Sequence, residues 1–254
     1  MMNSPAPSFP NNESFQTTRW SMVRGASEKP SSDPVAASHV RQALEDLCTI
    51  YWYPLYAFAR RQGESPDGAM DVTQSFFADL LERSWINQAD PKRGRFRSFL
   101  ITVFRRFLND QRKREEAMKR GGQSSILSID AASAEQRYQL EPCDESSPVD
   151  AFEREWALAL LNRVLKRLEK EYRDKGRSDQ FNVLQQYLSS ADGDSYSDSA
   201  DQLGISVSNV KVAVHRLRKR FRILLEDDVA QTVDSPADIQ SELNELLAAL
   251  CRMR

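Results

Sequence analysis

Near the C-terminus, Ser208, Asn209, Lys211, Val212 and His215 recur at intervals that one side of a helix would share, and Arg216, Lys219 and Arg220 follow within the next turns. Hydroxyl, amide and ammonium groups on one rigid face can address base edges in a major groove, and cations further along can hold phosphates. The reading is therefore Ser208, Lys211, Val212 and His215 towards bases, with Asn209 flanking them, and Arg216, Lys219 and Arg220 towards the backbone. An earlier set has the same helical spacing: Ser98, Thr102, Arg105, Asn109 and Arg112, flanked by Arg106 and Lys113. A row of cations and amides beside aromatic residues suits single-stranded or melted DNA, whose backbone follows the charges while bases stack on rings. Most of the four nearby phenylalanines, Phe96, Phe99, Phe104 and Phe107, lie on the apolar stripe and are assigned to the core.

Other chemistries lack their residues. The 3 cysteines stand far apart without zinc-ligand spacing, and 2 histidines cannot build a histidine-rich metal site. No nucleophile–base pairing and no phosphate-cradling glycine loop is present, and Asp227/Asp228 reads as a solvated acidic pair. The expectation is a protein that is not an enzyme and uses no metal, cofactor or small-molecule substrate. No apolar run approaches the roughly 18 residues of a membrane span. The first residues lack the basic stretch and apolar core of a secretory leader. The expected location is cytoplasmic, with no membrane partner.

The elements that position these groups are helical. Ala43, Leu44, Leu47, Ile50 and Tyr51 repeat at helical spacing and continue through Phe58 and Ala59, with Pro54 expected to kink or divide the helix. Ser65-Pro66-Asp67 has the form of a helix start: a capping hydroxyl, proline at the first position and an acid in the first turn. That helix would bury Val72, Phe76, Phe77, Leu80 and Leu81. The clearest stripe runs Phe96, Phe99, Leu100, Val103, Phe104, Phe107, Leu108. After a polar stretch, Phe152, Trp156, Leu160, Leu161, Val164, Leu165, Leu168 and Tyr172 form a long helix. Asp198–Leu203 and Val207–Leu225 make a helix-turn-helix around Gly204, with Ser206 as cap. A last amphipathic helix starts at Ser235-Pro236 and is expected to pack within the molecule.

The fold class is all-α: two small helical domains joined by an acidic linker, with a C-terminal amphipathic helix. The expected divisions are a mostly disordered segment 1–34, a first domain 35–115, a linker 116–149, a second domain 150–228 and an extension 229–254. Within the first of these, Trp20–Val23 is a short amphipathic piece; Ser125–Ile129 is a linker stretch able to lie on a neighbouring surface.

Charge follows the same division. The formal net charge of -2 hides eleven Lys/Arg against three acids from Pro91 to Arg120, and six against none from Ile205 to Leu225. Between them, Ile126–Glu155 holds eight acids and two arginines, and Glu226–Leu250 holds seven acids and no base. Two basic islands in an otherwise acidic chain point to two separate contacts with a polyanion.

Three strings carry a resemblance: Tyr51–Arg83 with its Asp71-x-x-Gln74, Asp90–Arg114 with Phe96, Phe99, Leu100, Asp110 and Arg112, and Tyr196–Leu225. In that order and separation they resemble the extracytoplasmic-function (ECF) group of bacterial RNA polymerase sigma factors. The resemblance covers about Ala43–Arg114 and Trp156–Leu225. It implies that 35–115 is sigma domain 2 and 150–228 is sigma domain 4. It further implies that the Asp71, Gln74 and Ser75 face docks on a coiled coil of the polymerase's largest subunit. The first basic helix and the loop before it, with Lys92, Arg93 and Arg95, would engage and help melt the −10 promoter element, and the helix-turn-helix would read the −35 element. Core RNA polymerase and promoter DNA are the implied partners, with room for an anti-sigma protein or other regulator. The chain departs from the common pattern in carrying Arg106 for an asparagine, Phe99 for a tryptophan and Ser199 for an aliphatic residue. Its linker is long, and the tail after Asp228 is additional. The competing reading is a stand-alone helix-turn-helix regulator, dimeric through the C-terminal helix, in which Asp71 and Gln74 are ordinary surface residues.

Overall fold

Leu55, Tyr56, Ala57, Phe58 and Ala59 are buried in unbroken succession, and a helix apolar on every side has to be covered on every side. Four helices supply that cover. The computed structural model describes residues 34–82, 95–118, 131–140, 147–189, 196–230, 233 and 235–251. Helix α1 (Pro34–Arg61) is enclosed by α2 (Pro66–Glu82), α3 (Phe96–Met118), α4 (Ala131–Gln139) and, most extensively, α5 (Pro148–Asp174). Among the described residues there is no strand.

Pro54 stands inside α1 without dividing it. A proline removes one helical hydrogen bond, but the buried neighbours Tyr53 and Leu55 anchor the chain on both sides of it. Helix α2 begins as its residues dictate, with the Ser65 hydroxyl accepting from the Gly68 amide at 3.1 Å and Pro66 in the first turn. Helix α3 buries Phe96, Leu100, Phe104, Phe107 and Leu108 and half-buries Phe99 and Val103. Edge-on ring contacts join Phe104 to Phe58 and Phe76 at 5.9 and 5.0 Å.

The acidic stretch 116–149 is more than a tether. Within it α4 docks on the first core through Ala134 and through Glu135, which accepts from the Tyr56 hydroxyl at 2.5 Å and from Arg60 at 2.9 and 3.0 Å. Arg137 lies 3.7 Å from the Tyr53 ring centroid and donates to Glu155 at 2.6 Å. A stretch rich in Ser, Ala, Asp and Glu has little periodicity to advertise a helix, and tertiary contacts select it. The segment before residue 34, including Trp20–Val23, and Ser125–Ile129 lie outside the described residues.

Helix α5 is opened by a capping box in which Ser147 and Asp150 bond each other's backbone amides. It belongs to both cores. Phe152, Trp156, Ala157 and Leu160 complete the first, whereas Val164 and Leu168 enter the second. The second core is closed by α6 (Ser178–Leu184), a 3-10 turn (Gln185–Leu188), α7 (Tyr196–Leu203) and α8 (Val207–Ala230). Helix α9 (Ile239–Cys251), preceded by a turn whose Ser235 hydroxyl accepts from Ala237 at 3.2 Å, packs on α5 and α8. Its Leu246 and Ala249, with Val229 of α8, join the first core. Helix α5 is long enough (roughly 40 Å at 1.5 Å per residue) to serve both clusters.

Candidate nucleic-acid interface

The turn between α7 and α8 is built as its residues require. Gly204 has φ 62; its amide donates to the Asp201 carbonyl at 3.3 Å and the Ile205 amide to the Ala200 carbonyl at 3.1 Å. This pair of bonds ends a helix and needs a left-handed residue. Ser206 then caps α8 by accepting from the Asn209 amide at 3.2 Å. Ser199, the polar residue in an apolar position, is buried with its hydroxyl 2.8 Å from the Tyr187 hydroxyl, so the two satisfy each other.

Helix α8 buries Val210, Val214, Leu217 and Leu224 and half-buries Phe221 and Leu225. Ser208, Asn209, Lys211, Val212, His215, Arg216 and Lys219 are all exposed on its other sides. Val212, 46% exposed, is an apolar group among donors, the type that meets a thymine methyl. Lys211 lies over the Tyr196 ring, 5.7 Å from its centroid. Arg220 differs from the others. It is half-buried and donates twice to Glu171 of α5, at 2.6 and 2.8 Å. The bond to Glu171 raises the Arg220 pKa, and that to Arg220 lowers the Glu171 pKa, in each case against a cost of burial. Arg220 thus braces α8 on α5.

On α3, Ser98, Thr102, Arg105, Arg106, Asn109 and Lys113 are exposed and form one outer face, with Arg114 beyond it. The Arg105 guanidinium lies 5.8 Å from the Phe58 ring centroid, within cation–π reach. Arg112 turns back: it donates to Glu64 at 2.6 Å and to the Gln62 carbonyl at 2.7 Å. Arg95, at the foot of the helix, is also engaged, through Glu242 at 2.6 Å and Ser241 at 3.1 Å. Lys92 and Arg93 lie outside the described residues. On α2, Asp71 and Ser75 are exposed and Gln74 is half-buried, opposite the face that buries Val72, Phe76 and Leu80.

The sequence matches the family model described as ECF sigma factor over residues 38–249, most of the chain. The chain belongs to that family. No curated protein and no solved structure matches it.

As a sigma factor it has a role in transcription initiation, within a family of non-enzymatic transcription factors. Among the described residues no group of acids, histidines and cysteines could hold a metal ion, and no helix is long and apolar enough to cross a membrane. One participant escaped the sequence reading. Arg97 is only 2% exposed, with its guanidinium 4.5 Å from the Trp156 ring centroid and donating to Glu242 and, at 2.5 Å, to Glu245. The signal was available. Arg97 is four, seven and eleven residues before Ile101, Phe104 and Leu108, on the stripe that goes inward, and the acidic tail offered the matching charge.

Proposed function

We propose that this sigma factor binds core RNA polymerase and directs it to promoters, making and breaking no bond itself. The observation that carries the reading is a pair of cationic helix faces left open to solvent: Arg105, Arg106, Asn109 and Lys113 on α3, and Lys211, His215, Arg216 and Lys219 on α8. In this reading 35–115 takes the −10 element and helps melt it, Ser98 and Thr102 lying along the same strand path. Residues 150–228 read the −35 element through Ser208, Lys211, Val212 and His215, with Asn209 beside them. Asp71, Gln74 and Ser75 meet the polymerase. Base contacts of this kind contribute about 1–3 kcal/mol each, and phosphate contacts add salt-dependent affinity.

A formal net charge of -2 weakens attraction to DNA by the protein alone, so promoter selection depends on polymerase. The partners are core RNA polymerase and promoter DNA, and an anti-sigma protein fits the family. The setting is the cytoplasm, where polymerase and DNA are. The test is core binding and promoter binding measured together. Asp71→Ala/Gln74→Ala should lower affinity for core while leaving the fold intact, and Arg105→Ala/Lys113→Ala should lower promoter affinity of the holoenzyme while leaving core binding intact. Tight specific binding by the protein without polymerase would instead establish a stand-alone regulator.

A further inference from the structure

We propose that helix α9 is an autoinhibitory clasp that occupies Arg95 and Arg97 with carboxylates where a DNA backbone would otherwise bind. This inference rests on the reading of α3 as a promoter-binding helix.

Every nitrogen of the Arg95 guanidinium is held by α9. Its Nε lies 2.6 Å from Glu242, its Nη1 pairs with Glu245, and its Nη2 donates to Ser241 at 3.1 Å. A guanidinium presents the same planar donor fork to a carboxylate as to a phosphate, so Arg95 cannot hold the tail and a DNA strand at once. Its neighbour Arg97 is taken by the same two acids, with Glu153 of α5 at 3.6 Å and the Trp156 ring behind it. The tail therefore covers the foot of α3, and the exposed face from Ser98 to Lys113 continues directly from the covered residues.

The contact has the character of a catch. Glu242 is 1% exposed, and burial raises its pKa although Arg97 and Arg95 pull the other way. An apolar residue there would join the helices without that desolvation cost. The apolar seam is short, with Leu246 and Ala249 fully buried and Ile239, Leu243 and Leu250 partly so, while Leu247 faces solvent. A helix of 13 residues is marginal once undocked, so release turns it into flexible chain. Between α8 and Leu250 the chain carries Asp234, Asp238, Glu242 and Glu245 and no base; undocked, this segment would be repelled by the DNA that replaces it. Because α9 packs on α5 and α8 as well, release also frees the seam between the two cores.

The experiment uses the full chain reconstituted with core polymerase, and reads promoter-DNA affinity over a range of salt. Glu245→Lys places a like charge beside Arg95 at a half-exposed position. It should tighten promoter binding at least fivefold and steepen the salt dependence by about one phosphate contact. Glu245→Gln should move both in the same direction by less. Adding Arg95→Gln to Glu245→Lys should remove the gain, because the gain comes from a freed Arg95. Unchanged affinity in both Glu245 variants would overturn the clasp, as would a gain that survives Arg95→Gln, since that would be the new lysine acting on DNA directly. If wild-type holoenzyme binds promoter DNA but Arg105→Ala/Lys113→Ala holoenzyme binds it equally well, the promoter reading of α3 fails, and the clasp with it.

Discussion

Ser199 and Tyr187 show how a single hydroxyl can replace an aliphatic side chain without harm. Each is buried, and each is the other's partner at 2.8 Å. Removing one takes a buried hydrogen bond from the other, so Ser199→Ala should destabilise the protein by about 0.5–1.5 kcal/mol in chemical denaturation, and adding Tyr187→Phe should cost less than it does in the wild type. The charges divide into working and structural ones by the same test of partners. Lys211 is exposed on the face proposed to read DNA, whereas Arg220 is locked to Glu171. Lys211→Ala should weaken holoenzyme binding to its −35 element by about 1–3 kcal/mol with the melting temperature unchanged. Arg220→Ala should lower thermal stability.

Glu245 offers a pH test. Hydrogen bonding to Arg95 pulls its pKa from 4.5 down to about 2. A carboxyl held lower in the folded than in the unfolded state stabilises the fold above the unfolded value, and that stability is lost as pH falls through the folded one. The wild-type protein should therefore lose more stability than Glu245→Gln between about pH 4.5 and 2, as followed by denaturant midpoint. Glu242 runs opposite in sign, because its pKa is raised, so its stabilising share is greatest at low pH and is lost as pH rises.

At the scale of elements, helices with a strong apolar stripe and a capping residue were legible. The α3 stripe, the Ser65-Pro66 start, the Gly204 turn with its Ser206 cap and the α8 buried face all stand where side-chain spacing places them. Helix α4 was not legible, since Ala131–Gln139 is held by Ala134, Glu135 and Arg137 reaching residues far away in sequence. Pro54 does not divide α1, because packing against four neighbours outweighs one missing hydrogen bond. The turn is the element whose failure is simplest to provoke. At φ 62 Gly204 has open space around it, so Gly204→Ala meets no clash and costs only the left-handed conformation, about 1–2 kcal/mol. Thermal melting should show that loss, and promoter affinity should fall with it if α7 and α8 lose their relative pose.

For the molecule as a whole, charge segregation was readable from the chain, and its spatial meaning was not. The basic islands and acidic stretches stand out in sequence, yet nothing in their spacing says that the acids at Glu242 and Glu245 return to the foot of α3, or that α5 serves two cores. The first comes from contacts separated by more than a hundred residues, and the second from one helix meeting partners on both sides of it in sequence. They tie the surface proposed for the −10 element to the C-terminal helix and leave the −35 surface open.

The central claim concerns polymerase: the chain alone is inert, and the assembly selects promoters. Run-off transcription from a fragmented genomic template, using purified core enzyme with and without this protein, tests it most directly. The account predicts discrete transcripts that require both components and disappear with Arg105→Ala/Lys113→Ala. Transcripts from no template, together with no association between the protein and core enzyme, would contradict it.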